Sequence, residues 1–398
     1  MLTQTNDVTF TNIQEQTLSA KIDLPLITPP RSYALFIHCF TCSKDIAIAA
    51  RISKELADKG IATLRFDFTG LGESQGDFSK TNFSSNLQDL QSAVDFMQAH
   101  YQSPSLIIGH SLGGTAVLAL AHKLPHLKAM VCIGAPSHPS HLKKHLEQQD
   151  GHYTFNLGQK PFVLCNQFMH DIQNIDLEHL APQHKVHSLI LHSPIDNIVS
   201  IKHAQTLYEK LKHPKSFISL DQADHLLSKK EDALYVGQLI ASWFDRHLPI
   251  DNTKLDIEHG TVIVEELKQT LTQKISTSSH TIIADEPQNL GGKDLGLNPY
   301  DLLLASLGAC TSMTLRMYAR HKQINLNSIK VELKHEKIHA KDCQDCKTKT
   351  GKIDFIQRKI YLEGNLSPEQ KQRFLEIANR CPVHKTLHSE NKITTELA

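Results

Sequence analysis

The 398-residue sequence predicts an α/β domain, with a mostly parallel sheet and helices on both faces, followed by an α+β domain. Three observations support this fold class. The chain is too long for one ordinary hydrophobic core. Short apolar runs alternate with helical patterns from about residue 34 to residue 247. A polar linker near residue 250 then separates this region from one where strands precede helices, so we expect domains at 1–250 and 251–398.

The first domain alternates six apolar runs with five stretches of helical periodicity. Buried parallel strands joined by crossover helices produce this alternation. The predicted strands are Ala34–Phe40, Ile61–Phe68, Ser105–Ser111, Ala129–Gly134, Ser188–His192 and Ser216–Leu220. The predicted helices are Ala47–Lys59, Ser84–His100, Gly114–Leu124, Ile201–Lys212 and Glu231–His247. A polar, histidine-rich span at about 137–186 interrupts the alternation, and we expect it to form a small cap over a pocket.

The second domain begins with three short strands and contains a long helix. Asn298 and Pro299 are suited to the N-cap and first position of a helix that runs to about His321. Another helix should start after Ser367 and stop before Cys381. The predicted strands are Thr261–Leu267, Thr270–Ser276, Thr281–Ala284, Ser328–His339 and Lys352–Glu363.

Composition narrows the partners and the compartment. With 42 basic and 42 acidic residues the net charge is zero, which argues against a nucleic-acid partner. No window approaches 18 apolar residues, so no membrane span is expected. Residues 1–10 lack the basic and apolar regions of a signal peptide. Eight cysteines then indicate a reducing cytoplasm, where thiols serve chemistry or metal binding.

Ser111 lies in Gly109-His110-Ser111-Leu112-Gly113, between an apolar run and a helix. This is the context of a nucleophile elbow, in which the turn is too sharp for side chains beside the serine. Asp196 and His225 follow later strands, so the chain order is serine, acid, histidine. His225 would take the serine proton, and Asp196 would orient the imidazole. Asp224 is a rival acid, but its place beside His225 points it elsewhere.

With these motifs, the sequence resembles the α/β-hydrolase family, and the resemblance covers roughly the first 250 positions. The resemblance implies a small-molecule ester or acyl substrate, with ester or thioester cleavage at the triad. The oxyanion would be held by the N–H groups of Leu112 and Phe40. Cys39 stands where many members have glycine. Cys39 and Cys42 also form a Cys-x-x-Cys that suggests a redox pair, although its place on the proposed oxyanion loop argues against that interpretation.

The segment 290–310, which ends in Leu307-Gly308-Ala309-Cys310, and the motif Arg380-Cys381-Pro382-Val383-His384 resemble the OsmC/Ohr superfamily of thiol-dependent hydroperoxidases. The resemblance covers about 255 to the end. It implies that Cys310 attacks an organic hydroperoxide, that Cys381 resolves the sulfenic acid as a disulfide, and that a thiol reductant regenerates the pair. It also implies a homodimer with active sites at the subunit interface. From the residues alone, Cys381 before Pro382 should cap a new helix, which lowers a thiol pKa.

The second motif departs from its family in its charged residues. Many members hold the thiolate with an arginine on an early strand, yet no arginine occurs between Arg246 and Arg316. Tyr300 stands where a carboxylate is common. Arg316 and Arg320 could substitute only through geometry or a partner subunit, so a weaker or different thiol chemistry stays open.

One cluster has the residue types of a metal site. Four nitrogen and sulfur ligands in this spacing could hold a tetrahedral zinc ion, although charged neighbours favour an exposed loop with free thiols. The candidates are His335, His339, Cys343 and Cys346.

The sequence therefore predicts a cytoplasmic serine hydrolase joined to an OsmC-like peroxidase, with no required cofactor. Two alternatives stay open. The OsmC-like domain could be a non-catalytic dimerisation or ligand-binding module, or the hydrolase half could be a binding scaffold for a peroxidase.

Overall fold

The computed structural model describes residues 3–39, 42–149, 152–157, 160–164, 166–173, 186–248, 256–267, 269–340 and 350–397. The chain divides into two compact units, Met1–Asn252 and Thr253–Ala398. In the described part of the chain, no helix has the length and apolar character needed to cross a membrane.

The first unit is built on an eight-stranded sheet. Its strands are β1 Thr3–Thr11, β2 Thr17–Pro25, β3 Ser32–Ile37, β4 Ile61–Phe66, β5 Leu106–His110, β6 Ala129–Ile133, β10 His187–His192 and β11 Lys215–Ser219. They lie in the order β1-β2-β4-β3-β5-β6-β10-β11. Strands β1 and β2, and β2 and β4, pair antiparallel, and the remaining neighbours pair parallel.

Helices cover both faces of this sheet. The apolar residues of β3 alternate, with Leu35 and Ile37 in one core cluster and Ala34 and Phe36 in the other. The helices are α1 Ala47–Asp58, α2 Phe83–His100, α3 Leu112–Leu120, α4 Asn166–Gln173, α5 Lys202–Lys210 and α6 Lys230–Asp245. The first cluster lies under α2, α3, α4 and α5, and the second lies under α1 and α6.

The span predicted to be an irregular cap contains regular structure. Its strands β7 Leu146–Gln149, β8 His152–Leu157 and β9 Lys160–Leu164 form a small antiparallel sheet. Helix α4 buries Phe168 and Ile172 against the first core cluster. Apolar and polar residues do not alternate regularly in this span, so the sequence pattern does not predict its strands.

The second unit has little core of its own. Strands β12 Ile263–Glu266, β13 Gln273–Ser276 and β14 Thr281–Ala284 form an antiparallel meander, as predicted. Helix α7, Pro299–His321, starts where the sequence predicts, and the Asn298 side chain accepts from the Asp301 N–H at 2.9 Å. The remaining elements are the antiparallel pair β15 Leu326–His339 and β16 Lys352–Gly364, followed by α8 Pro368–Ala378 and α9 Pro382–His388.

Candidate active sites

Ser111 occupies a sharp turn between β5 and α3. Its backbone has φ +56° and ψ −124°, a conformation that costs an L-residue free energy and persists only where the surroundings impose it. The Ser111 N–H donates to the carbonyl of Ile133 at 2.8 Å, and Gly114 N–H donates back to Ser111 at 2.9 Å. The turn therefore holds Ser111 at the carboxyl edge of the sheet, where β5 ends.

The glycines around Ser111 are required by close backbone contacts. A Cβ on Gly109 would come within 2.3 Å of the Gly113 carbonyl oxygen. A Cβ on Gly113 would come within 2.5 Å of the Ile37 carbonyl oxygen and 2.6 Å of that of His38. Helix α3 thus starts directly against the end of β3, which brings the loop after β3 next to the serine.

His225 links Ser111 to Asp196. The His225 Nε2 atom lies 3.0 Å from Ser111 Oγ, and Nδ1 lies 2.7 Å from Asp196 Oδ2. Asp196 follows β10 and His225 follows β11, so parallel strands deliver all three groups to one edge of the sheet. The structure therefore brings together the three residues that the sequence selects. Asp224 instead accepts from the Ser228 N–H at 2.8 Å.

Hydrogen bonds keep Asp196 ionised in a buried position. Burial alone would raise the pKa of this carboxyl group, but the hydrogen bond with His225 and those from the N–H groups of Val199 and Ile198 outweigh it and lower the pKa. A carboxylate here can stabilise an imidazolium on His225 when the serine proton is transferred.

His110 is a positioning residue that the sequence did not reveal. It is fully buried, and its Nε2 donates to the backbone carbonyl of His225 at 2.7 Å. Burial lowers the pKa of His110 to about 3, so the ring is neutral. A neutral ring has one N–H group, and the His225 carbonyl oxygen places that group at Nε2. Residue 110 is the unspecified position of the elbow motif, which is why spacing alone carried no signal.

The loop after β3 contains the predicted oxyanion donor Phe40 and is anchored beyond it by ion pairs. Phe40 lies outside the described residues, while Leu112 lies at the first position of α3, where N–H groups have no acceptor within the helix. Beyond Phe40, the buried Lys44 ammonium pairs with Asp67 at 2.8 Å and with Glu73 at 2.6 Å. Burial would lower the pKa of Lys44, but these carboxylates outweigh burial and raise it, so the ammonium stays protonated.

Cys39 and Cys42 form a disulfide, with Cα atoms 5.4 Å apart. The position of these residues on the predicted oxyanion loop argues against a redox pair. That location does not prevent pairing, because the Cys42 N–H donates to the Cys39 carbonyl at 3.2 Å and closes a tight turn. The turn brings the two side chains within bonding distance.

The second unit brings Cys310 and Cys381 into contact. Cys381 is fully buried at the N-cap of α9, where its Sγ accepts from the His384 N–H at 3.4 Å. Its thiol also meets the Cys310 thiol and lies 3.6 Å from the Thr311 hydroxyl. Cys310 is half-buried on α7, and both thiols are free. The predicted helix cap at Cys381 is confirmed.

Arg358 supplies the cation that the sequence argument could not find. It lies on β16, and its guanidinium donates to the Thr311 hydroxyl at 2.8 Å and to the Asn379 side chain at 2.7 Å. Burial would raise the pKa of Cys381, but the contacts with Thr311, His384 and Cys310 and the charge of Arg358 together lower it. Arg316 instead donates to the carbonyls of Leu326 and Asn327.

The zinc candidates are only partly described. Cys343 and Cys346 lie outside the described residues. His335 lies 2.9 Å from Asp354 Oδ1 and stacks on Tyr300 with ring centroids 4.4 Å apart, while His339 ends the same strand. His335 thus already has polar and aromatic partners of its own.

The first unit has the fold and the elbow of an α/β hydrolase, and comparison with known proteins assigns both units. Residues 29–149 match the family model described as serine aminopeptidase, S33, and residues 291–396 match that of OsmC-like proteins. The esterase domain of a Rhodothermus marinus protein is 44% identical, with a TM-score of 0.53 over 61% of this chain and 98% of that domain. The chain belongs to the α/β-hydrolase family through its first unit and carries an OsmC-like second domain.

More distantly related proteins match only part of this chain. Est1E from Butyrivibrio proteoclasticus is 18% identical, with a TM-score of 0.51 over 60% of this chain and 98% of its own, and has the fold of the first unit. The uncharacterized protein RP471 of Rickettsia prowazekii is 25% identical over 45% of this chain, and YfhR of Salmonella typhi is 23% identical over 50%. The chain spans 63% and 66% of the lengths of these two curated relatives.

Replacing Arg358 by methionine should raise the pKa of Cys381, because a nearby positive charge favours the thiolate. Arg358→Lys should restore part of the difference, and Arg320→Met, at an exposed position of α7, should have no effect. The measurement is the pH titration of thiolate absorbance, taken as the difference between each protein and its Cys381→Ser counterpart. An unchanged titration in Arg358→Met would contradict the role given to this arginine.

Proposed function

We propose that the first unit hydrolyses esters or thioesters of short acyl chains by nucleophilic catalysis at Ser111. The observation that carries the proposal is the continuous hydrogen-bonded series from Asp196 through His225 to Ser111. The naming of the 44% identical Rhodothermus marinus domain as an esterase supports the same reaction.

The reaction follows from this geometry. Ser111 Oγ attacks the carbonyl carbon while His225 Nε2 takes its proton, and Asp196 stabilises the resulting imidazolium. The N–H of Leu112, with the donor expected from Phe40, holds the negative oxygen of the tetrahedral intermediate. His225 then protonates the leaving alcohol or thiol. Water, activated by His225, releases the acid from the acyl-enzyme.

A narrow apolar pocket supports a short acyl chain as substrate. It is lined by His38 and by Leu112 and Gly113, the residues directly after the nucleophile. Its remaining wall consists of Phe68, Leu71, Phe78, Phe83, Asn86 and Ala116. Three phenylalanine rings narrow this pocket next to Leu112 and Gly113, so long acyl chains should fit poorly.

Ser111→Ala should reduce hydrolysis of p-nitrophenyl acetate by at least about 10³-fold, and adding His225→Ala should cost little more, because the two residues act as a unit. Asp196→Asn should lower kcat by about 10²- to 10⁴-fold. Asp224→Asn is the matched control and should stay near the unsubstituted rate. Retention of that rate by Ser111→Ala would contradict the assignment.

For the second unit we propose reduction of organic hydroperoxides by Cys310 and Cys381. Cys310 is the partly exposed thiol, so its thiolate would attack the peroxide oxygen and become a sulfenic acid as the alcohol leaves. Cys381, whose pKa is lowered, would attack that sulfur, form the disulfide and release hydroxide. A dithiol reductant would then restore both thiols.

One equivalent of cumene hydroperoxide should produce a Cys310–Cys381 disulfide, detected by peptide mass mapping. Cys381→Ser should leave a sulfenic acid on Cys310 that dimedone traps. Cys132→Ser is the control, since burial raises the pKa of Cys132 to about 12 and keeps it a thiol. If Cys310 stays reduced while other thiols react, the second unit is a non-catalytic module.

We also propose that the protein is a homodimer through its second unit. Met313 and Met317 lie one turn apart on α7 and are 65% and 69% exposed. An open groove between α7 and β15 is lined by Leu304, Gly308 and Val331 among others. The exposed apolar residues of α7 and the groove favour burial against another protein surface. The resemblance to OsmC-like proteins implies that this surface belongs to a second copy of the chain.

Light scattering of the full chain at micromolar concentration should give the mass of a dimer. Combined Met313→Glu and Met317→Glu substitutions should shift it towards the monomer, because they place charges in the covered surface. Tyr235→Glu, at an exposed apolar position of the first unit, should leave the dimer intact. A monomeric unsubstituted chain would refute the proposal.

A further inference from the structure

The Cys39–Cys42 disulfide has no role in the reactions proposed above, although it lies beside the esterase site. Cys39 comes two residues after β3 ends at Ile37. The carbonyl of His38, directly before Cys39, packs against Gly113 of the nucleophile elbow. The disulfide therefore closes a ring of four residues at the place where the loop passes the elbow.

Both ends of this ring are fixed by other contacts. On one side, the His38 ring is buried, and its Nδ1 lies 2.7 Å from the Cys39 carbonyl oxygen. On the other side, Lys44 is held by its ion pair with Asp67, and the guanidinium of Arg65 donates to the Lys44 carbonyl. The disulfide consequently ties Cys39, next to His38 at the elbow, to Cys42, on the side of the loop that Lys44 anchors. In the sequence, the predicted second oxyanion donor Phe40 stands between the two cysteines, outside the described residues.

The two cysteine residues differ in exposure. Cys39 is 4% exposed, whereas Cys42 is half-buried. Thiol–disulfide exchange requires a thiolate to reach one sulfur in line with the other. An external thiolate would therefore attack Cys42, and Cys39 would depart as the thiolate.

We propose that Cys39 and Cys42 form a reversible thiol–disulfide site that controls how fast Ser111 is acylated. A dithiol reductant attacks Cys42 Sγ, a mixed disulfide forms and Cys39 leaves and takes up a proton. The second thiol of the reductant then displaces Cys42, so the protein gains two electrons and two protons and the reductant becomes a cyclic disulfide. Opening the ring removes the covalent tie between Cys39, which adjoins His38 at the elbow, and Cys42.

The expected effect is a slower reaction in the reduced state. Oxyanion donors act because they are held in place before the reaction, and loss of one donor typically costs about 10²- to 10³-fold in kcat. A loosened but retained donor should cost less, about tenfold. This inference rests on the proposed esterase function, because it concerns the rate at the same serine.

The test uses the full chain equilibrated in buffers of reduced and oxidised dithiothreitol. Differential alkylation with mass mapping reports the state of Cys39 and Cys42. The labelling rate of Ser111 by a fluorophosphonate probe, together with p-nitrophenyl acetate hydrolysis, reports the serine site. We expect both rates to fall about tenfold as the disulfide opens and to recover on reoxidation.

Two variants separate this site from the other cysteines. Cys39→Ser combined with Cys42→Ser should react at the reduced rate in every buffer. Cys343→Ser combined with Cys346→Ser removes the other Cys-x-x-Cys and should keep the full redox response. Loss of the response in this second variant would overturn the assignment.

The remaining outcomes distinguish the inference from the function on which it rests. Equal Ser111 labelling with the disulfide open and closed would overturn the inference and leave the esterase intact. A pair that stays alkylatable in excess oxidised dithiothreitol would also overturn it. An absence of Ser111 labelling in both states would contradict the proposed esterase function, and with it the regulation of that function by the disulfide. The alkylation result would still show whether the disulfide exchanges.

Discussion

The contact between the start of α3 and the end of β3 is the constraint on which the esterase site depends. Gly113 meets the carbonyls of Ile37 and His38 at distances that exclude any side chain. This contact lets the chain turn sharply at Ser111, places the Leu112 N–H beside the loop after β3, and positions that loop next to the nucleophile. A larger residue at 113 would push the start of α3, and Ser111 with it, away from the end of β3.

Parallel strand topology explains why distant residues meet. Because β5, β10 and β11 are parallel, Ser111, Asp196 and His225 leave the sheet at the same edge although they are far apart in the chain. The sequence predicted these residues because motif, strand position and chain order agreed. It could not reveal His110, whose hydrogen bond to the His225 carbonyl depends on tertiary structure rather than on a motif.

Other features depended on information that local pattern lacks. The antiparallel strands β1 and β2 are rich in threonine and charged residues, so they did not stand out as sheet strands. Arg358 lies more than forty positions after Cys310 and comes near the thiol pair only in the folded unit, where its side chain on β16 donates a hydrogen bond to Thr311 of α7. In contrast, the helix that starts at Pro299 was predictable, because Asn298 and Pro299 carry its start signal.

In both units, hydrogen bonds and a neighbouring charge lower the pKa of a buried acidic group, the Asp196 carboxyl in the first unit and the Cys381 thiol in the second. We propose that acyl transfer takes place at Ser111 and not at the thiols. The most direct measurement is acid quenching of the full chain with p-nitrophenyl acetate, followed by peptide mass mapping. We expect one acetyl group per chain on the peptide that contains Ser111. Acetylation of Cys310 or Cys381 with Ser111 unmodified would contradict it.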